Sequence, residues 1–463
     1  MANNDPYKLT AGAVKEPPKT VLEKLKYIGP GFILSASIVG SGELIATTLA
    51  GAKAGFILMW FIIFSCIVKV AVQLEFGKHA ISSGESTMAS LNSLPGPKIG
   101  NANWSIWTWL ILMIAKMFQL GAIVGGVVLA LVEFFPILGD LPGKAIAAFL
   151  VSISVSLLVY RGYYLLIEKA SLIMIGAFTL FTLASLIALQ STDFAISSSD
   201  FVSGMIPSIP NTAVLVVAMG AFGITGVGGD EIMAYNYWLI EKGYAAYTGP
   251  KDDSDEWLRR AKGWINVMYW DAILAMIAYT GMTVMFYLLG AAVLNRQGLA
   301  PEGTALIATL GKMYTESLGS WAQKVFVVGA VVVLYSTLFA ALAAWTRLFA
   351  DAFGRIGLLD YQEKSSRKFA IAVLAWLLPA VWAVLFLVME NPAFMVIIGG
   401  LATVVILLIV VFAAIIFRYK RLDPRLKPVK LYDLFLWSSS AAIFLVAIYL
   451  LYEKVLKPLS DFS

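Results

Sequence analysis

The chain is poor in the residues that build most metalloenzymes. Of its 463 residues, Cys66 is the only cysteine and His79 the only histidine. An intrachain disulfide, a thiolate metal site and a centre of several histidines are therefore excluded. The sequence also offers no Ser-His, His-Glu or Cys-His group for nucleophilic or metal-assisted hydrolysis. We therefore expect neither an enzyme nor a resident cofactor.

Charge is scarce as well. Only 14% of the residues are charged and 60% are hydrophobic, with a mean hydropathy of +0.82. A soluble protein would carry roughly a quarter charged residues, so this composition predicts an integral membrane protein that contacts the lipid bilayer. Residues 1–27 are polar and contain lysines, which argues against a signal peptide. The net charge of +5 is assigned to cytoplasmic loops and not to a nucleic-acid-binding surface.

Eleven apolar runs are long enough to cross a bilayer, which takes about 20 helical residues. We number them helix 1 to helix 11, and they lie at 28–50, 55–77, 105–132, 144–160, 164–190, 211–239, 263–294, 323–346, 368–389, 393–417 and 431–452. The sequence thus predicts an all-α polytopic membrane protein. Its parts are an N-terminal segment at 1–27, one transmembrane domain at 28–452 and a tail at 453–463.

The charges of the loops predict the orientation of the chain. The loop 418–430 holds six Lys or Arg residues against a single acid, Asp423. The loops 133–143 and 191–210 contain no Lys or Arg. Because short basic loops stay in the cytoplasm, we expect a cytoplasmic N-terminus and an extracellular C-terminal tail. The membrane would be the inner membrane of a prokaryote.

Two short stretches, Val39–Ala46 and Val227–Ala234, read almost as copies of each other. They match at the valine, at the first glycine, at a glutamate (Glu43 and Glu231) and at the final alanine. Each stretch interrupts an apolar run with glycines and then places a carboxylate there. Paired glycine-broken segments in two halves of a membrane protein indicate a transporter's binding site. The irregular backbone is tolerated at that depth only where it lines a cavity or is buried in protein.

The spacing of the two stretches predicts an inverted repeat. If helix 1 corresponds to helix 6, five helices separate the copies, so the second copy enters the membrane from the opposite face. Repeat one would cover 28–190 and repeat two 211–417, with 431–452 as an extra helix. This is the leucine-transporter fold, in which the first helix of each half is broken.

Three carboxylates at the breaks, Glu43, Asp230 and Glu231, are the first candidates for binding a solute. A charged group at the bilayer centre costs at least about 2.5 kcal/mol, so such residues usually serve function or find partners. The alternative for Glu43 and Glu231 is that they pair with lysines or cap the resumed helices, where acids are favoured. Asp230 and Glu231 point about 100° apart on a helix, so we do not expect both to bind one ion directly.

Four other charges lie within apolar runs or at the ends of such runs. They are Lys69, Glu75, Lys116 and Asp271. Lys69 and Glu75 are six residues apart, which is too far for a direct pair along one helix, so we expect their partners on other helices. For Lys116 we favour an interhelical salt bridge. The sequence does not assign a role to Asp271.

The first helix resembles the opening of the NRAMP divalent-metal transporters. The likeness rests on Gly29–Glu43 and on Ala50–Gly55, and it extends through helix 2 and the Asp271–Leu274 segment of helix 7. The resemblance implies metal transport by a leucine-transporter-type fold. Known members bind a transition metal between an Asp-Pro-Gly-Asn break in helix 1 and a Met-Pro-His stretch in helix 6.

This chain departs from the family pattern at those two motifs. In helix 1, Gly40 stands for the family's Asp and Glu43 for its Asn, while in helix 6 Val227 stands for the metal-binding Met. The pattern is more similar to the divergent NRAMP-related magnesium transporters than to the manganese and iron carriers. The residues that we expect at the ion site are Glu43, Asp230, Glu231, Gly40, Thr225 and Val227.

These substitutions predict a site for hard cations. Carboxylate and carbonyl oxygens suit Mg²⁺ and Mn²⁺, whereas thioethers select softer metals. Glycines at the breaks should widen the pocket, and Mg²⁺ keeps several of its waters when it binds. Lys116 and Gln119 stand near positions where the family carries acids for proton movement, so uptake without proton coupling is expected. The alternative function is transport of a small organic anion or amino acid by the same fold.

Overall fold

The computed structural model describes residues 5–161, 164–208 and 210–453. A helix occupies each of the eleven predicted positions. Helix 1 consists of three pieces, Pro30–Ile38, Val39–Thr47 and Thr48–Ala54, and helix 6 of two, Thr212–Ile224 and Gly229–Lys242. Helices 2 to 5 are Met59–Ser83, Trp104–Phe134, Leu141–Arg161 and Tyr164–Leu189. Helices 7 to 11 are Asp255–Leu289, Ala322–Ile356, Lys364–Met389, Pro392–Ile416 and Lys430–Leu451. Residues 454–463 of the predicted tail lie outside the described residues.

Most of these helices are long and apolar enough to cross a membrane. Within the described ranges, nine qualify individually, and the bent pair of segments in helix 1 adds a tenth. Helix 5, at Tyr164–Leu189, has 26 residues and takes the remaining predicted position. The fold class predicted from the hydrophobic runs is therefore confirmed.

Several short elements lie between the membrane helices and were not predicted. They are the helices Val21–Leu25, Thr87–Asn92, Ser198–Met205, Tyr244–Thr248 and Leu306–Leu318, and an antiparallel pair of strands, Lys98–Ile99 with Ala102–Asn103. Each is too short to span a bilayer. Hydrophobic runs of membrane length carry no signal for such pieces.

Helix 1 is interrupted by a change of helical pitch and not by an extended loop. The stretch Val39–Thr47 forms a π-helix between two α-helical pieces. The axes of the segments Pro30–Ile38 and Gly42–Ala54 make an angle of 44° with each other. Wide turns of this kind occur mostly at functional sites, and Glu43 lies within this one.

Helix 6 is broken outright. Its first half ends at Ile224, the backbone is extended at Thr225 and at Gly228, and the second half begins at Gly229. Gly226 has a φ of +64°, which a residue with a side chain rarely adopts. Gly226 thus permits the turn that separates the two half-helices.

The glycines near the breaks bring backbones together instead of opening a pocket. A methyl group added to Gly40 would lie 2.5 Å from Thr337 Oγ1, and one on Gly229 would lie 2.7 Å from a methyl of Ile406. A methyl on Gly223 would lie 2.0 Å from the Gly400 carbonyl oxygen. The prediction of a roomy, glycine-walled pocket is therefore wrong, because neighbouring helices fill the space.

Gly223→Ala should destabilise the protein, because its methyl group has no room beside the Gly400 carbonyl of helix 10. We expect a loss of about 1–3 kcal/mol, as for other overpacked cores, measured by thermal unfolding in detergent. Gly281→Ala in helix 7 is the control, because a methyl there meets no atom within 4 Å. The control should be neutral or gain up to about 1 kcal/mol of helix propensity, and an equal loss in both variants would contradict the packing argument.

Candidate functional site

Glu43 joins the break of helix 1 to that of helix 6. Its Oε1 accepts a hydrogen bond of 2.7 Å from Thr283 Oγ1 of helix 7 and one of 3.3 Å from the Gly226 amide. Its Oε2 is buried and receives no hydrogen bond from the part of the chain that the structure describes. A buried carboxylate oxygen normally has a donor or a cation beside it. One oxygen of Glu43 is thus available to a ligand.

Asp230 forms the predicted salt bridge with Lys116. The Lys116 ammonium donates to Asp230 Oδ1 and to Thr403 Oγ1 of helix 10, the latter at 2.7 Å. Trp345 Nε1 of helix 8 donates to Asp230 Oδ2 at 3.0 Å. Both charged side chains are buried. The interhelical role expected for Lys116 is confirmed, and its partner is a predicted site residue.

Glu231 lies beside this salt bridge in the first turn of the second half-helix. Its Oε2 is 3.9 Å from the Lys116 ammonium, and no donor among the described residues forms a hydrogen bond to it. The carboxylate folds back over Gly228, since a methyl group there would lie 2.3 Å from Oε2. Its side chain is 11% exposed, against 3% for Asp230. Glu231 is therefore the more accessible of the two neighbouring acids.

Lys69 of helix 2 occupies the end of the first half-helix. Its ammonium donates to the carbonyl of Phe222 at 2.6 Å and to that of Thr225, which the helix break has freed. The expectation that Lys69 has its partner on another helix is confirmed. The sequence did not predict that the partners are backbone carbonyls.

The three acids do not form one cluster. Among the described residues, no group of three or more His, Cys, Asp or Glu side chains is close enough to hold a metal ion. Glu43 lies at the turn of helix 6, whereas Asp230 and Glu231 lie beyond it beside Lys116.

The other three predicted site residues have structural partners. The Gly40 amide donates to Thr337 Oγ1 at 3.0 Å. The Thr225 hydroxyl lies 3.0 Å from Ser65 Oγ, and its carbonyl accepts from Lys69. Val227 is fully buried. These residues shape the breaks around the acids, and their role toward an ion stays a prediction.

Cys66 also touches the break. It is fully buried, its Sγ lies 3.8 Å from Thr283 Oγ1, and a methyl group on Gly226 would lie 3.3 Å from that sulfur. The lone cysteine is thus packed between helix 2, the turn of helix 6 and the residue that binds Glu43.

A small cavity reaches Asp230 and Glu231. Its volume is about 10 Å³, and its walls come from the first half of helix 1, the second half of helix 6 and helix 8. That is roughly the space of a single water probe. An ion can reach the acids from this side only after these helices separate.

A comparison with protein families identifies the chain. The family model described as Nramp, natural resistance-associated macrophage protein-like, matches residues 31–453. The chain belongs to the NRAMP family. It is accordingly a membrane transporter and not an enzyme, as the lack of catalytic groups predicted.

Curated relatives of this NRAMP chain are distant. An uncharacterized protein of Pasteurella multocida is 24% identical over 347 residues, which cover 74% of this chain and 73% of that protein. The divalent metal cation transporter MntH of Caldanaerobacter subterraneus is 26% identical over 208 residues, or 43% of this chain. That match covers 45% of the MntH length. This chain thus spans less than half of that relative.

Solved structures confirm the fold of this NRAMP chain. The manganese transporter of Eremococcus coleocola superposes with a TM-score of 0.67 at 13% identity, covering 96% of this chain and 90% of that one. MhsT in complex with L-phenylalanine superposes with a TM-score of 0.57 at 15% identity, with coverages of 94% and 99%. These likenesses establish the leucine-transporter-type architecture.

Asp271 of helix 7 holds the first residues of helix 1 in this NRAMP chain. Its carboxylate accepts from the Gly29 amide at 2.7 Å and from the Gly31 amide at 2.6 Å. Tyr235 of the second half of helix 6 donates to the same carboxylate at 2.9 Å. Asp271 thus supplies, from another helix, the acceptor that the start of helix 1 needs. This answers the question that the sequence left open.

Asp271→Ala should destabilise the packing of helix 1. Each lost hydrogen bond to a charged group costs about 1.5–3 kcal/mol, and the loss is measurable by thermal unfolding. Tyr235→Phe is the matched control, because it removes one hydroxyl and leaves both glycine amides bound to Asp271. The control should lose less stability, and equal losses would show that the glycine amides contribute nothing.

Proposed function

We propose that this NRAMP transporter imports hard divalent cations, Mg²⁺ and also Mn²⁺, across a prokaryotic inner membrane. The observation that carries the proposal is a pair of buried carboxylate oxygens at the two helix breaks, Glu43 Oε2 and Glu231 Oε2, to which no side chain or amide of the described residues donates. Burying a carboxylate without a compensating partner is costly. A passing cation supplies that partner, and carboxylate oxygens suit Mg²⁺ and Mn²⁺.

The ion class is supported by two further points. Relatives of this chain bear the names divalent metal cation transporter and manganese transporter. At the position of the family's metal-binding Met, Val227 offers no thioether, which removes the ligand that favours softer metals. Mg²⁺ binds through one or two carboxylates and keeps several waters. The separated acids of this chain suit such sparse coordination.

An organic-anion substrate is less well supported. Such a substrate would need a cationic group facing it, and the candidates are Lys69 and Lys116. Both ammonium groups already donate to oxygen acceptors of the protein, in carbonyls and a carboxylate. The acids at the breaks would also repel an anion.

We further propose that uptake proceeds without proton coupling. Helix 3 presents Lys116 and Gln119 toward the core, where the family resemblance leads one to expect acids. Lys116 is held in a salt bridge with Asp230. The membrane potential is a sufficient driving force, since a divalent cation gains roughly 4.6 kcal/mol per 100 mV, inside negative. The basic loop after helix 10 is expected in the cytoplasm. Because ten crossings return the chain to the side on which it began, this supports a cytoplasmic N-terminus.

Glu43→Gln should lower Mg²⁺ and Mn²⁺ uptake together by at least about tenfold, because affinity for these ions follows the charge of their ligands. The measurement is initial uptake into proteoliposomes at a fixed inside-negative potential. Glutamine keeps the shape of the side chain, so its acceptor for Thr283 persists.

Glu75→Gln is the matched control for that experiment. Glu75 is also a buried acid, on helix 2, but it pairs with Lys78 and not with either break. The prediction of a partner on another helix was wrong for Glu75, because Lys78 lies three residues along the same helix and faces the same side. This variant should keep its ion selectivity and most of its uptake per folded molecule. Unchanged uptake in Glu43→Gln would remove Glu43 from the ion site, and no uptake of any divalent ion by the native protein would overturn the proposed function.

Uptake should occur with no proton movement. Proteoliposomes with a clamped potential and an internal pH dye should show Mn²⁺ entry and an unchanged internal pH, because the two helix 3 positions carry no acid. A proton ionophore added to the same vesicles is the positive control, because it lets protons enter and should change the signal of the pH dye. Acidification that depends on Mn²⁺ would contradict this part of the proposal.

A further inference from the structure

The ammonium group of Lys116 lies in a cage of oxygens at the junction of three helices. It donates to Asp230 Oδ1 and to Thr403 Oγ1 at 2.7 Å, and it is 3.9 Å from Glu231 Oε2. Its side chain is fully buried. Carboxylate and hydroxyl oxygens around one buried positive charge are also what a hard metal ion requires.

We propose that Lys116 is a tethered counter-ion, which takes the place of the transported cation at Asp230 while the carrier is empty and withdraws when the ion binds. This inference rests on the proposed function, since it concerns how the same site handles its substrate. The acids attract the ion, whereas Lys116 competes with the ion for the Asp230 carboxylate.

The argument begins with the cost of an empty site. Removing one partner from a buried ion pair leaves an uncompensated charge, which is strongly destabilising. Without an ion and without Lys116, the Asp230 carboxylate would keep the neutral Trp345 indole as a donor but no cation bound to it. Lys116 supplies the missing positive charge from within the protein. The carrier can therefore hold its acids in a closed, nearly dry core without a bound metal.

The second step concerns the arrival of the ion. A divalent cation at Asp230 cannot share the carboxylate with an ammonium group at contact distance, because the two positive charges repel each other. The lysine side chain is a flexible four-carbon stem with a compact charge, so it can move while its helix stays in place. Each binding event thus exchanges one cation for another at Asp230.

A second lysine, Lys69, lies at the other side of the break in a different arrangement. The Lys69 ammonium binds the carbonyls of Phe222 and Thr225. Its direct hydrogen-bond acceptors are backbone oxygens and not an acid. Lys69 therefore stabilises the break itself, and Lys116 is the residue positioned to compete for the carboxylate.

Lys116→Met tests the inference, because methionine keeps much of the length and none of the charge. With the purified full chain, calorimetric titration of Mn²⁺ should give a Kd at least about tenfold lower than that of the native protein, since the competing charge is gone. Net Mn²⁺ uptake should fall, because the empty carrier now carries unpaired acids. Exchange of radioactive Mn²⁺ for internal Mn²⁺ should persist, since both directions then use the loaded carrier.

Lys78→Met is the matched control. Lys78 also pairs with a buried acid, Glu75, and both side chains are 1% exposed. Removing the Lys78 ammonium likewise leaves a buried carboxylate without its cation, but this carboxylate, on Glu75, lies outside the breaks. This variant should bind Mn²⁺ with the native Kd. A similar gain in affinity in both variants would show that any freed carboxylate captures the ion, and this would overturn the inference.

Lys116→Arg provides a second test that does not depend on an unpaired acid. A guanidinium group binds a carboxylate through two parallel hydrogen bonds, so it should hold Asp230 more firmly and weaken Mn²⁺ binding. If the native protein transports divalent ions but neither variant changes the Kd, the inference is wrong and the proposed function stands. If the native protein binds and transports no divalent ion, the proposed function fails and the inference fails with it.

Discussion

The architecture depends on how the backbone oxygens at the break of helix 6 are satisfied. In hydrocarbon an unpaired carbonyl costs several kcal/mol, since no water is present to bind it. The protein meets this constraint with the ammonium of Lys69, which binds the carbonyls of Phe222 and Thr225. The Gly226 amide in the same turn donates to Glu43 of helix 1. A lysine of helix 2 and an acid of helix 1 thus together hold the backbone of the broken helix.

The helices of this chain were predictable because membrane length imposes a strong rule on sequence. Apolar runs located all eleven, and the repeated Val-Gly…Glu pattern located both breaks. The pattern did not reveal that helix 1 continues as a π-helix through Val39–Thr47 while helix 6 opens fully. That difference depends on tertiary contacts and on Gly226, which alone at the breaks adopts a left-handed conformation.

Partners across helices were the part that the sequence could not supply. Glu43, Asp230 and Glu231 were identified as costly charges, but Thr283, Trp345 and Thr403 carry no signal in sequence that links them to those acids. The same limit explains the error about the glycines. Composition shows that a side chain is absent at Gly40 or Gly229, whereas only the packing shows that Thr337 and Ile406 fill the space.

The position of the single cysteine has a practical consequence. Cys66 is packed against the turn of helix 6 and beside the residue that binds Glu43, and no other thiol exists in the chain. Its alkylation by a membrane-permeant reagent therefore requires helices 2, 6 and 7 to part. The rate at which Cys66 is alkylated in the native protein therefore reports how often the transport path opens at the break of helix 6.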